Sequence, residues 1–471
     1  MRLKLKYCML KSFSFRLLLC TAIIALFFSC KKDDFKPVDL NSLNPDNTVT
    51  YTALDNWITT NFLNPYNVDV VYRANSYFHE YDRNVTPPDP SSVQPYLQTV
   101  LDGYYAPYND VAGVTFLKKY GFKQFVLYGS TSFDGSNPPV GYAGTASGGI
   151  RINIFGLDGF SSTSPGDVTS RLGVIHHEYT HILQQTFPMP SDFQQFTAAH
   201  YNANWTKTSA DTSHKYGFVS SYASQNPVED MAETNRAMLV SGPSWFDAWV
   251  KTSTQGATGL REKESSIVNY YNNIGIDYRA LQKEVQLYIK DSLQDPSVTF
   301  PYWLNQGSPY SSMTINLSDN MYNLYGQSAA FAKVYQALKD SIKAQTSWLA
   351  TDVQILFTKK DSMTVRIPFT YGDGTGNFLG DFDFAMKVDP NTGIVLFAKV
   401  ANKSGTTYSN GGYFTRSFQN TLQAYLTGNT FIGDWLQYKP EYNVPGNLYT
   451  KTAGFYVQSD PTNYFYGLLG E

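Results

Sequence analysis

The sequence predicts an α+β fold in two domains behind a short leader. Residues 50–295 mix helical and strand patterns, whereas residues 296–471 carry mostly strand patterns. Charged residues make up only 16% of the chain and aromatic residues another 16%, including 36 Tyr and 31 Phe. This composition supplies enough apolar surface for compact cores, and it argues against a disordered protein.

The charge balance argues against nucleic acid as a partner. The chain has 36 basic and 39 acidic residues, a formal charge of −3, and five of the basic residues lie in residues 1–29. The remainder carries 31 basic against 39 acidic residues and has no basic block. Nucleic-acid binding needs clustered Lys and Arg side chains that neutralise phosphates.

The N-terminus predicts a lipoprotein signal peptide over residues 1–29. A basic segment precedes the apolar run Leu17–Ser29, whose 13 residues are fewer than the roughly 20 that span a bilayer. Ser29 and Cys30 resemble a bacterial lipoprotein box, in which Cys30 becomes the lipidated first residue; an ordinary secretory signal is the alternative. Cleavage leaves no second cysteine, so we expect neither a disulfide nor a cysteine-ligated metal site.

The segment after the signal predicts a surface anchor. Residues 30–49 are polar, contain Pro37 and Pro45, and have the composition of a tether. Its first six residues, Cys-Lys-Lys-Asp-Asp-Phe, resemble the surface-export signal of Bacteroidetes lipoproteins. The expected location is the outer membrane, with Cys30 in the lipid and the folded chain at the cell surface.

Hydrophobic periodicity and turn signals place the elements of the first domain. In chain order these are a helix over Ala53–Phe62, strands over Val68–Arg73, Phe122–Tyr128 and Ile150–Phe155, and helices over Val168–Gln185, Pro227–Val240 and Ile267–Leu293. The strand Ile150–Phe155 is a candidate sheet edge on which an extended peptide could pair.

The second domain begins with a predicted helix and continues with strands. The helix covers Gln327–Gln345, and the strands cover Val353–Thr358, Thr364–Phe369, Phe382–Val388 and Ile394–Val400. Asp389–Gly393, between the last two strands, is a strong hairpin signal. All six His lie between His79 and His214, so imidazole chemistry belongs to the first domain.

The helix Val168–Gln185 carries the motif His177-Glu178-Tyr179-Thr180-His181. Residues four apart on a helix lie only about 40° apart around its axis, so both imidazoles can reach one metal ion. Glu178 lies next to a ligand and can reach a metal-bound water without binding the metal, which suits a general base in a zinc hydrolase. A chance match to the motif on a surface helix is the alternative.

The rest of this helix predicts a buried face and a packing histidine. The apolar stripe consists of Val168, Leu172, Ile175, Tyr179 and Ile182. His176 points about 100° away from His177, so we expect it to pack against neighbouring side chains rather than to bind metal.

A zinc hydrolase needs a third protein ligand. A third His six residues after His181, with a Gly between them, is excluded because those positions hold Phe187 and Gln184. The helix Pro227–Val240 instead offers two carboxylates. Its core stripe is predicted as Val228, Met231, Ala232, Asn235 and Met238.

Glu229 and Glu233 lie one turn apart on another face of that helix. We predict that Glu229 is the third ligand and that Glu233 holds a ligand imidazole through its free N–H. The alternative for Glu229 is a capping box with Asn226, in which the carboxylate only closes the helix start. Tyr222 is a further candidate, as a hydrogen-bond donor to an oxyanion, which the spacing alone leaves open.

The pair HEYTH and SYASQNPVEDMAE resembles the zinc-binding metallopeptidases of Bacteroidetes lipoproteins, also described as substrate import-associated zinc metallohydrolase lipoproteins. Three other stretches, found in order, carry the same likeness: LDNWITTNFLNPYNVDVVYR, FLKKYGFKQFVLYGS and LREKESSIVNYYNNIGIDYRALQKEV. The resemblance covers residues 50–295 and implies a zincin-like domain of the gluzincin type. In gluzincin relatives such as anthrax lethal factor, a Tyr seven residues before the ligand Glu assists catalysis, and Tyr222 has that spacing to Glu229.

The resemblance also implies partners. It predicts one Zn²⁺ per chain, a peptide or protein substrate, and a role beside a TonB-dependent importer. An alternative function is a binding lipoprotein that captures a ligand for an importer and retains a vestigial metal site. The Tyr-rich residues 296–471 are not covered by the resemblance, and their role stays open.

Overall fold

The computed structural model describes residues 51–78, 85–133, 141–436 and 444–471. The predicted signal peptide, the tether and Cys30 lie outside these residues. The chain forms two units, Met1–Asn56 and Trp57–Glu471. In the first unit, the Thr52 N–H donates to Asp55 Oδ2 at 2.7 Å and the Asp55 N–H donates to Thr52 Oγ1 at 3.3 Å, which caps a helix start.

Five helices of the described ranges contain a π turn, either within the helix or as its last turn. The helices are α1 (Ala53–Ile58, π turn Thr59–Leu63, then Asn64–Tyr66), α2 (Pro90–Val100, π turn Leu101–Tyr105, then Ala106–Ala112), α3 (Val114–Tyr120), α4 (Pro165–Thr186), α5 (Ala210–Lys215), α6 (Pro227–Arg236, π turn Ala237–Ser241), α7 (Gly242–Thr252), α8 (Ala257–Asn273), α9 (Tyr278–Leu287, π turn Tyr288–Ser292), α10 (Phe300–Gln306), α11 (Asn320–Tyr325), α12 (Ala329–Thr346), α13 (Thr406–Gly412) and α14 (Thr415–Phe418, π turn Gln419–Gln423, then Ala424–Thr427). Short 3₁₀ turns cover Ser76–Phe78, Leu157–Gly159, Phe193–Gln195, Ala198–His200, Trp205–Lys207, Tyr222–Gln225, Pro296–Val298 and Tyr449–Lys451.

The described strands form two larger sheets and one small pair. They are β1 (Asp69–Val71), β2 (Gln124–Leu127), β3 (Ser132–Phe133), β4 (Gly141–Tyr142), β5 (Gly144–Ser147), β6 (Arg151–Ile154), β7 (Ser312–Ile315), β8 (Leu349–Ala350), β9 (Val353–Lys359), β10 (Ser362–Thr370), β11 (Phe378–Val388), β12 (Ile394–Lys399), β13 (Phe431–Trp435), β14 (Thr452–Val457) and β15 (Asp460–Gly470).

The first sheet has the strand order β1-β2-β6-β5, with only β5 antiparallel to its neighbour. The prediction that Ile150–Phe155 is the sheet edge is therefore wrong, because Ile152 pairs with Phe125 on one side and Ala146 on the other. Gly148 and Gly149, with φ of 59° and 68°, reverse the chain just before β6. That hairpin adds β5 as the outer strand.

Helix α4 lies directly against this sheet. A Cβ atom at Gly144 of β5 would stand 2.5 Å from Val174 Cγ1 of α4, so only glycine permits the approach. Arg171 ties the same helix to the end of β6, because its two terminal nitrogens donate to Phe155 O at 2.7 Å and Gly156 O at 2.6 Å. The helix is thus fixed over the edge strand.

The second sheet closes on itself. Its order is β11-β12-β13-β14-β15-β7-β9-β10, and β10 pairs again with β11, all antiparallel. The short strand β8 adds to β10 beyond the end of β9. Closure leaves these eight strands without a long free edge. Helix α12 buries a stripe in the same core, namely Phe331, Tyr335, Leu338 and Ile342.

Both sheets belong to the unit Trp57–Glu471, and polar contacts join its two parts. Asp247 of α7 is buried and forms ion pairs with Arg261 at 2.6 Å and Lys451 at 2.9 Å. Lys290 Nζ, in the π turn of α9, lies 3.2 Å from Asp434 Oδ2 of β13. The boundary predicted between residues 295 and 296 stays a prediction.

The predicted α+β class is confirmed, with a strand-rich C-terminal part. The elements that were not predicted include the helices α2, α3, α5 and α7, the strands β3 to β5, the elements α10, β7, α11 and β8, and those of the second sheet from α13 to β15. None of the described helices combines the length and the apolar composition that crossing a bilayer requires.

A buried ion pair fixes α6 against α8. Lys263 Nζ lies 2.7 Å from Asp230 Oδ2, and both side chains are fully buried. Lys263 also donates to Gly217 O at 2.7 Å, and the Tyr201 hydroxyl donates to Asp230 Oδ2 at 2.7 Å. Each charge is therefore compensated, which is what makes a buried pair tolerable.

We predict that Lys263→Met lowers the free energy of unfolding by about 3–5 kcal/mol, because it leaves the Asp230 carboxylate buried without its cation. Urea denaturation followed by circular dichroism measures the change. Lys333→Met is the matched control, since Lys333 is exposed on α12 and we expect a change within about 0.5 kcal/mol there. Equal stability of the two variants would contradict the structural role of the pair.

Candidate metal centre

Helix α4 carries the first two candidate ligands. Its start is set by Ser164, whose Oγ accepts the Asp167 N–H at 3.3 Å, and by Pro165 in the first turn. Twelve residues later in the helix, His177 is 7% exposed and Glu178 is 6% exposed. The motif therefore lies on a largely buried face, and a chance match on an exposed surface helix does not describe it.

Helix α6 carries the third candidate ligand, Glu229. Asn226 caps it, its Oδ1 accepting the N–H groups of Val228 at 2.9 Å and Glu229 at 3.0 Å. The Glu229 carboxylate turns away from the helix start, and its Oε2 lies 3.1 Å from His177 Nε2 and 3.3 Å from His181 Nε2. The capping box is thus only half present: Asn226 caps, and Glu229 faces the imidazoles.

The three side chains converge on one point. His177 Nε2 and His181 Nε2 are 3.0 Å apart, and each lies within 3.3 Å of Glu229 Oε2. A tetrahedral Zn²⁺ with bonds of about 2.0–2.1 Å holds its ligand atoms roughly 3.3 Å apart. Two imidazole nitrogens and one carboxylate oxygen at this spacing fit a catalytic zinc site with an open fourth position.

The charges around these atoms also favour a cation. Burial lowers the pKa of His177, but hydrogen bonds with Glu229 and Glu233 outweigh it and raise that pKa to about 10. Burial raises the pKa of Glu229, yet the two histidines hold it well below its usual range. The carboxylates of Glu229 and Glu233 therefore favour a positive charge at this point, which a divalent cation would supply.

Glu233 lies behind His177. Its Oε1 is 2.9 Å from His177 Nδ1, the ring nitrogen that faces away from Glu229. Arg236 Nη1 donates to the same carboxylate at 3.1 Å and the Ser220 hydroxyl donates to Oε2 at 2.7 Å. Although burial raises its pKa, these partners lower the pKa of Glu233 to about 2. The carboxylate is therefore ionised and can orient the imidazole.

Glu178 faces the same space from the side of β5. Its Cγ lies 3.3 Å from the position a Cβ would take at Gly144. Burial raises its pKa, while His177 and His181 act in the opposite direction. A carboxylate with a raised pKa beside the imidazoles of His177 and His181 is suited to exchange a proton.

The Tyr222 side chain also borders the candidate metal centre. Its ring stacks on that of His177, with centroids 5.8 Å apart and an interplanar angle of 21°, and Trp205 packs against its outer side at 4.9 Å. Burial, and then the Glu229 carboxylate, raises the pKa of Tyr222, which keeps the phenol protonated. The hydroxyl therefore carries a proton that it can donate, and in this structure its hydrogen-bond partner is the Glu229 carboxylate.

His176 is fully buried and packs against Tyr104 and Tyr108 of α2, with ring centroids 5.6 Å and 6.1 Å away. Burial lowers its pKa to about 3, so the ring is neutral. It faces away from the three ligand atoms, as the helical geometry predicts.

The predicted core stripe of α6 is wrong at one position, Val228. Met231, Ala232, Asn235 and Met238 are buried, but Val228 is 44% exposed. Position 228 lies in the first turn of α6, before the helix enters the core. An apolar side chain is thereby left at the surface next to Glu229.

The structure adds residues that the sequence analysis did not single out. Gln184 Oε1 lies 3.3 Å from His181 Nδ1 and can orient that ring. Because Gln184 follows His181 by three residues on the same helix, the sequence could have predicted this contact. Ser220, Arg236 and strand β5 also border the centre. They gave no sequence signal, because their proximity depends on how the helices and the sheet pack.

One comparison with known proteins concerns this same part of the chain. The model of a family described as "Putative zinc-binding metallo-peptidase" matches residues 47–278, which include every residue of the metal centre. The chain is also similar to a crystal structure of a "putative zinc-binding metallo-peptidase" from Bacteroides caccae ATCC 43185. The two are 23% identical with a TM-score of 0.43, over 52% of this chain and 94% of that one. No curated protein matches the chain. Residues 47–278 are thus similar to a family of zinc-binding metallo-peptidases.

Proposed function

We propose that the chain is a zinc-dependent peptidase whose metal is held by His177, His181 and Glu229. The observation that carries this proposal is the convergence of three ligand atoms within 3.3 Å of one another, beside a buried Glu178. A purely structural zinc site is closed by four protein ligands and needs no base. Three ligands and an adjacent carboxylate are the composition of a hydrolytic site.

In the proposed reaction, three side chains of the chain have separate roles. Zn²⁺, when bound, would lower the pKa of a coordinated water and polarise a substrate carbonyl. Glu178 takes a proton from the attacking water and later gives it to the leaving amine. The Tyr222 hydroxyl donates a hydrogen bond to the oxyanion as the carbonyl becomes tetrahedral. Glu233 keeps His177 oriented throughout.

The edge strand β5 supports a peptide as substrate. Because the Phe155 N–H donates to Ala143 O at 3.0 Å, the odd-numbered residues of this strand face β6. The even-numbered Gly144 and Ala146 direct their backbone groups to the other side, where no described strand pairs and where the Ala146 backbone forms a hydrogen bond with Glu178. An extended peptide could pair there, next to Glu178, largely regardless of its sequence.

The proposed setting is the cell surface. The lipoprotein box at Ser29-Cys30 supports anchoring through lipidated Cys30, and the resemblance to import-associated lipoproteins supports a role beside a TonB-dependent importer. In that setting the peptidase would shorten peptides before their uptake.

Glu178→Gln should abolish turnover and preserve zinc binding. The amide keeps the shape of the side chain but cannot accept the proton, so we expect kcat to fall by roughly 10²–10⁴-fold. Cleavage of a quenched fluorescent peptide library and zinc content by elemental analysis are the two measurements. Glu262→Gln, at an exposed position of α8, is the control. If the Glu178→Gln variant cleaved peptides as fast as the control, the general base would be another residue. If the wild-type protein bound peptide without cleaving it, the binding-lipoprotein function would replace the peptidase function.

Backbone pairing on β5 predicts an alternating pattern in modified substrates. N-methylation of single peptide bonds in a cleaved peptide should lower kcat/KM by about tenfold at every second position, since each such change removes one hydrogen bond of about 1–1.5 kcal/mol. The intervening positions point away from the strand and should tolerate the methyl group. A uniform response, or none, would show that the substrate does not lie on β5.

A further inference from the structure

The Ser220 hydroxyl joins two parts of the metal centre. It donates to Glu233 Oε2 at 2.7 Å and accepts the Ala223 N–H at 3.1 Å. Glu233 is the carboxylate that holds His177, and Ala223 belongs to the 3₁₀ turn Tyr222–Gln225. One side-chain atom thus connects the support of a metal ligand to the turn that carries Tyr222.

The connection is well suited to transmit orientation. Glu233 is 6% exposed and Ala223 is fully buried, so little water competes for these hydrogen bonds. A hydroxyl that accepts one hydrogen bond while donating another has its rotation fixed, and the two bonds polarise each other. The planes of the Tyr222 and His177 rings lie 21° apart, with 5.8 Å between centroids.

We propose that Ser220 is a positioning residue that sets the orientation of His177 and Tyr222 together. The inference rests on the proposed function, because its consequences are expressed in zinc affinity and in the contribution of Tyr222 to turnover. It assigns Ser220 no contact with substrate or metal.

Arg236 provides a comparison within the same structure. It contacts the Glu233 carboxylate from the other side, its Nη1 lying 3.1 Å and 3.3 Å from the two oxygens. Its side chain runs past Gly173 of α4, where a Cβ would stand 2.6 Å from Nε. Its hydrogen bonds and ion pair all go to Glu233, and none joins it to the described turn Tyr222–Gln225. Arg236 therefore supports His177 alone, whereas Ser220 supports both His177 and Tyr222.

The test is a pair of double-mutant cycles with Tyr222→Phe. Ser220→Ala should weaken zinc affinity by about tenfold, the lower end for changes around a metal ligand, measured by competition with a chromophoric chelator. Tyr222→Phe should lower kcat by roughly 10²-fold in the wild-type background, but by only about tenfold in Ser220→Ala. In Arg236→Met, Tyr222→Phe should keep its full effect. Ser221→Ala is the control for a hydroxyl lost from the same segment.

Ser220→Thr keeps the hydroxyl and should restore both the zinc affinity and the full effect of Tyr222→Phe, which separates positioning from a loss of folding. Additive effects of Ser220→Ala and Tyr222→Phe, or a zinc affinity equal to that of Ser221→Ala, would overturn the inference while leaving the peptidase intact. Failure of the wild-type chain to bind zinc or to cleave any peptide would instead overturn the proposed function.

Discussion

The crossing of α4 and α6 is the contact on which the candidate metal centre depends. Two of the ligand atoms come from α4 and the third from α6, so no single helix can form the site. The crossing is held by polar groups inside the core. Besides the pair of His177 and Glu233, the fully buried Asn235 donates to Thr180 Oγ1 at 2.9 Å. Such a buried network is satisfied in only one arrangement of the helices, which makes it specific as well as stabilising.

The network extends beyond the two helices. Asn235 also donates to the Tyr271 hydroxyl at 2.9 Å and accepts from the Tyr278 hydroxyl at 2.8 Å, which fixes α8 and α9 to the same point. The buried pair of Lys263 and Asp230 lies one residue from Glu229 and secures the first turn of α6. These contacts fix the position of Glu229 relative to the two histidines of α4.

The local part of this site could be predicted from the sequence, and the long-range part could not. The spacing of His177 and His181 dictates their common face wherever the helix lies. The pairing of Glu233 with His177 followed from the chemistry of metal-bound imidazoles together with the position of the second helix. By contrast, the role of β5 as the sheet edge depends on a hairpin at Gly148-Gly149, and the contact of Ser220 with Glu233 depends on the turn before α6. The prediction that Val228 belongs to the core stripe of α6 was wrong, because helical periodicity does not indicate whether the first turn of a helix lies inside the core.

Zinc stoichiometry tests the central claim most directly. Elemental analysis of the purified chain, with no metal added, should give about one zinc per chain, and Glu229→Ala should lose it while the exposed Glu262→Ala retains it. A wild-type chain that stays free of zinc even after incubation with the metal would contradict the account. So would a chain that keeps its zinc in the Glu229→Ala variant with unchanged affinity.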